Sequence, residues 1–144
     1  MKRILFLILS LAILKITVFG QCFDFAKEVT KNQLPPYIHD GNYNTTLLTE
    51  GQEAEFFKTF YAGQKYRIII ISDKNINQPK FEIMDKSRKV IYSNLKNGNS
   101  QSWDFTLDES QQLIISIKVP NNKDNIATPQ RGCVSIIFGF LNQS

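Results

Sequence analysis

Ser102-Trp103-Asp104-Phe105-Thr106-Leu107 and, shortly after it, Gln112-Leu113-Ile114-Ile115-Ser116-Ile117-Lys118-Val119 decide how this chain folds. In the first stretch Trp103, Phe105 and Leu107 oppose Ser102, Asp104 and Thr106. In the second Leu113, Ile115, Ile117 and Val119 oppose Gln112, Ser116 and Lys118. Successive side chains of a strand point to opposite faces, so a period of two makes one face wet and the other dry. Outward from here, similar short runs recur between clusters of Gly, Asn, Asp and Pro. They predict strands over 44–49, 53–61, 65–73, 80–85, 89–93, 102–107, 112–119 and 132–140, the pattern of an antiparallel sandwich or barrel.

One strand breaks the alternation. Ile68-Ile69-Ile70-Ile71 is apolar on both faces, which places it centrally with its second side covered. The covering element is expected to be a short helix over 23–33. Phe25, Ala26 and Val29 fall at helical spacing there, Asp24 suits the first turn, and Pro35-Pro36 prevents continuation. Tyr37 to Asn44, centred on Asp40-Gly41-Asn42, reads as a turn-rich connector.

The first residues bear on location. Lys2 and Arg3 precede an apolar run from Ile4 to Leu14 that only Ser10 interrupts, and Val18-Phe19-Gly20 precedes a candidate cut, the layout of a secretory signal peptide over 1–20. Lys15 ends the run well short of the roughly 20 apolar residues that a spanning helix needs, so no stable membrane span is expected after cleavage. Gln21 stands where a lipobox requires a small residue, which disfavours lipid attachment at Cys22. Residues 21–144 are expected to form a single β-sandwich domain, secreted, periplasmic or at the cell surface.

Loss of Lys2, Arg3 and Lys15 with the leader leaves 14 basic against 13 acidic residues, so nothing in the charge supports a nucleic-acid partner. Export also delivers Cys22 and Cys133 to an oxidising compartment, where an even count favours pairing. In the last strand Val134, Ile136, Phe138 and Phe140 share one face and Cys133 lies on the other. A Cys22–Cys133 bridge is thus expected to hold the helix against the outside of the sheet.

The stretch Glu55-Phe56-Phe57-Lys58-Thr59-Phe60-Tyr61-Ala62-Gly63-Gln64-Lys65-Tyr66-Arg67-Ile68 resembles the bacterial pre-peptidase C-terminal domain: an aromatic strand, an Ala-Gly-Gln turn and a strand that opens with Tyr. Phe81-Glu82-Ile83-Met84-Asp85 followed by Val90-Ile91-Tyr92 is similar to that family's hairpin with an aspartate before its turn. The likeness spans about residues 50–120. The end departs from it, since Gly132 to Phe140 lacks the family's Gly-Xaa-Tyr strand pair. The resemblance implies an all-β, jelly-roll-like sandwich that serves as an accessory or binding module, and it brings no catalytic residues.

Candidate chemistry is sparse. His39 is the single histidine and lies in the connector without a nucleophile motif beside it. Glu53 with Glu55, and Asp104 with Asp108, have same-face spacing, but such carboxylates ordinarily face water. Asp40, Asn42 and Asn44 alternate like calcium ligands but lack the terminal Glu, which favours an Asx-rich turn. No metal, cofactor or catalytic residue is assigned, and the chain is not expected to be an enzyme. Tyr37, His39 and Tyr43 are the candidate ligand surface, whereas Trp103 is read as core because it alternates in register with Phe105 and Leu107. The expected function is a non-enzymatic exported module that binds a protein or a glycan. The alternatives are an assembly subunit that docks through an open edge such as 44–49, and a small hydrolase.

Overall fold

The computed structural model describes residues 17–122 and 128–141. Helix α1 (Thr17–Gln33) comes first, followed by β1 (Ile38–His39), β2 (Asn44–Thr49), β3 (Glu53–Phe60) and β4 (Lys65–Ser72). After these come β5 (Lys80–Met84), β6 (Val90–Ser93), a 3₁₀ turn (Asn94–Lys96), β7 (Ser102–Thr106), β8 (Gln111–Lys118) and β9 (Arg131–Phe140). One sheet runs β9-β4-β7, with β1 and β2 both along the other side of β9. The second runs β3-β8-β5-β6. Every pairing is antiparallel. The pairs β2·β9, β3·β8, β4·β7 and β5·β6 are nested and alternate between sheets, so the chain is a long folded-over ribbon wound into a two-layer sandwich.

The isoleucine run divides as its lack of alternation requires. Ile68 and Ile70 enter the core between the sheets with Phe60, Phe81, Ile83, Leu113, Ile115 and Phe138. Ile69 and Ile71 point outward and pack with Val29, Leu34, Tyr37 and Ile137 beneath α1. Cys22, Ala26, Val29 and Thr30 form the buried stripe of the helix. Cys22 is bonded to Cys133 of β9, with Cα atoms 5.3 Å apart. Gly139 leaves room for the chain that follows the helix, because a Cβ built there would lie 2.6 Å from Leu34 Cδ1 and 2.8 Å from Tyr37 Cβ.

Two expectations need correction. The helix is already formed at Thr17, the first described residue, rather than beginning at 23, since Thr17 to Gln21 contains no proline and a single Gly20 costs only about 1 kcal/mol relative to Ala. The connector also contains a short strand, β1, because β9 extends past the end of β2 and its edge pairs Ile38 with Phe140 and His39 with Gly139. Residues 1–16 of the expected leader lie outside the described residues. Among the described residues, no helix is long and apolar enough to cross a membrane.

Candidate functional site

A sandwich has two flanks, where the edges of its sheets approach each other, and here they differ. On the β6/β7 flank Trp103 lies between Tyr92 and Phe105, with ring centroids 4.9 and 4.2 Å away and planes within 19° and 12° of parallel. Phe105 continues the stack to Tyr66. Each such pair adds about 0.5–1.5 kcal/mol beyond burial. Trp103 is thus half-buried and packed against the core, as its register predicts.

The β2/β3 flank is open. A hollow of 370 Å³ lies between the two edge strands, floored by Leu48, Ala54, Phe56, Ile117, Val134 and Ile136, with Tyr43 and Glu55 at its rim. A second hollow, of 280 Å³, holds Tyr61, Tyr66 and Phe140. Lys58 separates them. It lies on the inner side of β3, where its Nζ donates to Asp40 Oδ2 at 2.8 Å and sits 4.6 Å from the centre of the Phe138 ring. Tyr61 is the most exposed aromatic of this flank, at 65%.

The three residues expected to form a ligand surface separate into two environments. Tyr37 does not belong to a surface: it is 7% exposed, because the chain after Pro36 turns in beneath the helix and the ring fills space above Gly139. Its hydroxyl donates to Asp104 Oδ2 at 2.9 Å, and the Arg67 guanidinium lies 4.3 Å from its ring centre. Arg67 donates twice to Asp104, both at 2.7 Å. These bonds hold the Asp104 carboxyl below its ordinary range, with Arg67 the main cause. Burial, aided by the bond to Asp104, pushes the Tyr37 hydroxyl up. His39 and Tyr43 do meet, with rings 4.5 Å apart and Phe23 of the helix 5.1 Å beyond Tyr43. Both are half-buried, and Tyr43 borders the larger hollow.

The remaining candidate groups are committed to structure. Asp40 Oδ1 accepts from the Asn42 backbone N–H at 2.9 Å, which makes the Asx turn, and its other oxygen is held by Lys58. Glu53 pairs with Lys118 at 2.5 Å, and Glu55 accepts from both terminal nitrogens of Arg88 at 2.7 and 3.0 Å. The Arg88 bonds hold the Glu55 carboxyl low, the opposite of what a general acid needs. Among the described residues, no group of three or more His, Cys, Asp or Glu converges as a metal site would require. Sequence reading did not single out β3, whose residues line both hollows. Its signal was the tandem Phe56-Phe57, which puts one phenylalanine on each face of that strand.

No family model matches the chain, and no curated protein matches it in sequence. Among solved structures, the chain is similar in fold to Aeromonas hydrophila PliG, a periplasmic lysozyme inhibitor of g-type lysozyme. The TM-score is 0.51 at 13% identity, over 69% of this chain and 85% of that one.

Proposed function

We propose that this chain is an exported, non-enzymatic, jelly-roll-like module that binds a protein outside the cytoplasm through the open β2/β3 flank. The observation that carries the reading is the 370 Å³ hollow with an apolar floor, left unfilled where the opposite flank is shut by stacked rings. A hollow of that size suits one or two apolar side chains of a partner seated in a polar rim, the usual make-up of a protein interface. The leader-like start, the Cys22–Cys133 bridge and the fold shared with a periplasmic protein inhibitor all support the location. The pre-peptidase C-terminal resemblance supports an accessory role. A glycan is less favoured because Trp103, the natural sugar platform, is stacked with Tyr92 and Phe105 and packed against the core.

The first partner to test is g-type lysozyme. Residues 21–144 are titrated into the enzyme by calorimetry and assayed for suppression of peptidoglycan lysis, beside Ala54→Trp, which fills the hollow from its half-buried floor. Binding and inhibition that Ala54→Trp abolishes without lowering Tm support the reading. Lysis that is unaffected at a large molar excess excludes this enzyme. Full binding by Ala54→Trp excludes the hollow.

A further inference from the structure

Strand β3 is eight residues long, and among the described residues only one of its edges is paired, to β8. A free edge about 27 Å long is a template for another strand. Proteins usually guard such an edge with unpaired charge. β3 carries three charges, and each is neutralised within the chain: Glu53 by Lys118, Glu55 by Arg88 and Lys58 by Asp40. What remains includes one phenylalanine on each side. Phe56 faces the hollow, and Phe57 stands on the outer face, 51% exposed.

Phe57 is also the end of a row. In register across the outer face of its sheet lie Phe57, Ile114, Met84 and Val90, one residue from each of the four strands. α1 covers the outer face of the other sheet, but no element covers this one among the described residues. Ile114 and Met84 in the middle of the row are buried, and the end of the row at the free edge, Phe57, is exposed.

We propose that β3 pairs with β3 of a second copy of this chain, antiparallel about a twofold axis at Phe57, to make a continuous eight-stranded sheet. The strand is complementary to itself in this register. Opposite residues must share a face, so Phe57 meets Phe57, Glu55 meets Thr59, Glu53 meets Tyr61, Phe56 meets Lys58 and Ala54 meets Phe60. No like charges oppose one another. A twofold at Glu55 or at Lys58 would set carboxylate against carboxylate or ammonium against ammonium, which disfavours those registers. The Phe57-centred pairing joins the two apolar rows end to end and satisfies both free edges through one isologous contact. β2, the other edge strand on this flank, lacks these features, with Asn44, Thr45, Thr46 and Thr49 among its six residues. The proposal concerns the same flank as the protein-binding reading but does not depend on it, and its test uses no partner.

The test is the mass in solution of residues 21–144, with the disulfide intact, by size exclusion with light scattering. Wild type is expected at twice the chain mass and to dissociate on dilution. Phe57→Glu is expected to be monomeric at the same concentrations with an unchanged circular dichroism spectrum, since Phe57 belongs to neither core cluster. Phe57→Cys is expected to form a covalent dimer on mild oxidation, because directly opposed residues place their Cα atoms about 4.5–5.5 Å apart, within disulfide reach. Thr59→Cys is not expected to link, since Thr59 opposes Glu55 of the second copy. A monomeric wild type overturns the proposal, and so does a dimer that survives Phe57→Glu, or Thr59→Cys linking as readily as Phe57→Cys.

Discussion

Replacing both Cys22 and Cys133 with Ala is expected to destabilise the domain by about 6 kcal/mol. The bridge closes a loop with a sequence separation of 111 residues. In the chain-entropy description, a loop of that size removes about 16 cal/mol/K from the unfolded chain, or about 5 kcal/mol at 25 °C. The two sulfurs are also buried, at 4% and 6% exposure, and their loss adds about 1 kcal/mol of transfer and packing. Against this, the helix keeps its own anchorage, since Ala26 and Val29 stay buried over the sheet whose outer face carries Ile69, Ile71 and Ile137. The variant should therefore fold to the same structure and unfold in one transition, with Tm lower by about 15 °C or more. Guanidinium unfolding of the oxidised protein and the variant measures the difference directly. A loss below about 2 kcal/mol with an unchanged slope would refute the reasoning, because the unfolded chain would then not be the state that the bridge constrains.

Three further outcomes follow from the packing and the charges. Gly139→Ala is expected to cost about 1–3 kcal/mol, because the added Cβ falls within 2.8 Å of Leu34 and Tyr37 beneath the helix; thermal melts should show it, with the loss relieved when Leu34→Ala is added. Phe60→Ala, which removes a fully buried ring in contact with Tyr66, Phe105 and Phe138, is expected to cost about 3–5 kcal/mol in urea unfolding. Asp104 has a depressed pKa, so its contribution is fully present above the unfolded carboxylate value, near pH 4, and is lost as pH falls through the lower folded value. Asp104→Asn should accordingly lower Tm at pH 6 and flatten the acid limb of a Tm–pH profile, while an acid limb identical to wild type would show that the Arg67 pair adds nothing.

Much of the fold was legible because strands declare themselves locally. A period of two in Trp103–Leu107 and Leu113–Val119 is a direct image of one wet and one dry face, and eight strands were placed to within a residue or so of their observed ends. The doubled burial of Ile68–Ile71 and the opposite facing of Cys133 were enough to put the helix outside the sheet, which the periodicity of the helix alone would not have located. The burial of Tyr37 was not legible. A tyrosine in a turn-rich connector carries no local mark of its exposure, and only the path of the chain under the helix put Tyr37 against Arg67 and Asp104.

By itself, then, the sequence determined the class of fold, the strand positions, the sidedness of the central strands and the residues able to form the bridge. All of these follow from side-chain periodicity and composition, which act over neighbouring residues. Only the tertiary structure decided which strands became edges, which flank the aromatic rings closed, and that every charge on β3 found a partner on another element. Those outcomes depend on contacts between residues far apart in the chain, such as Glu55 with Arg88 and Lys58 with Asp40. Such contacts come into being when the sheets pair, and no local pattern encodes them.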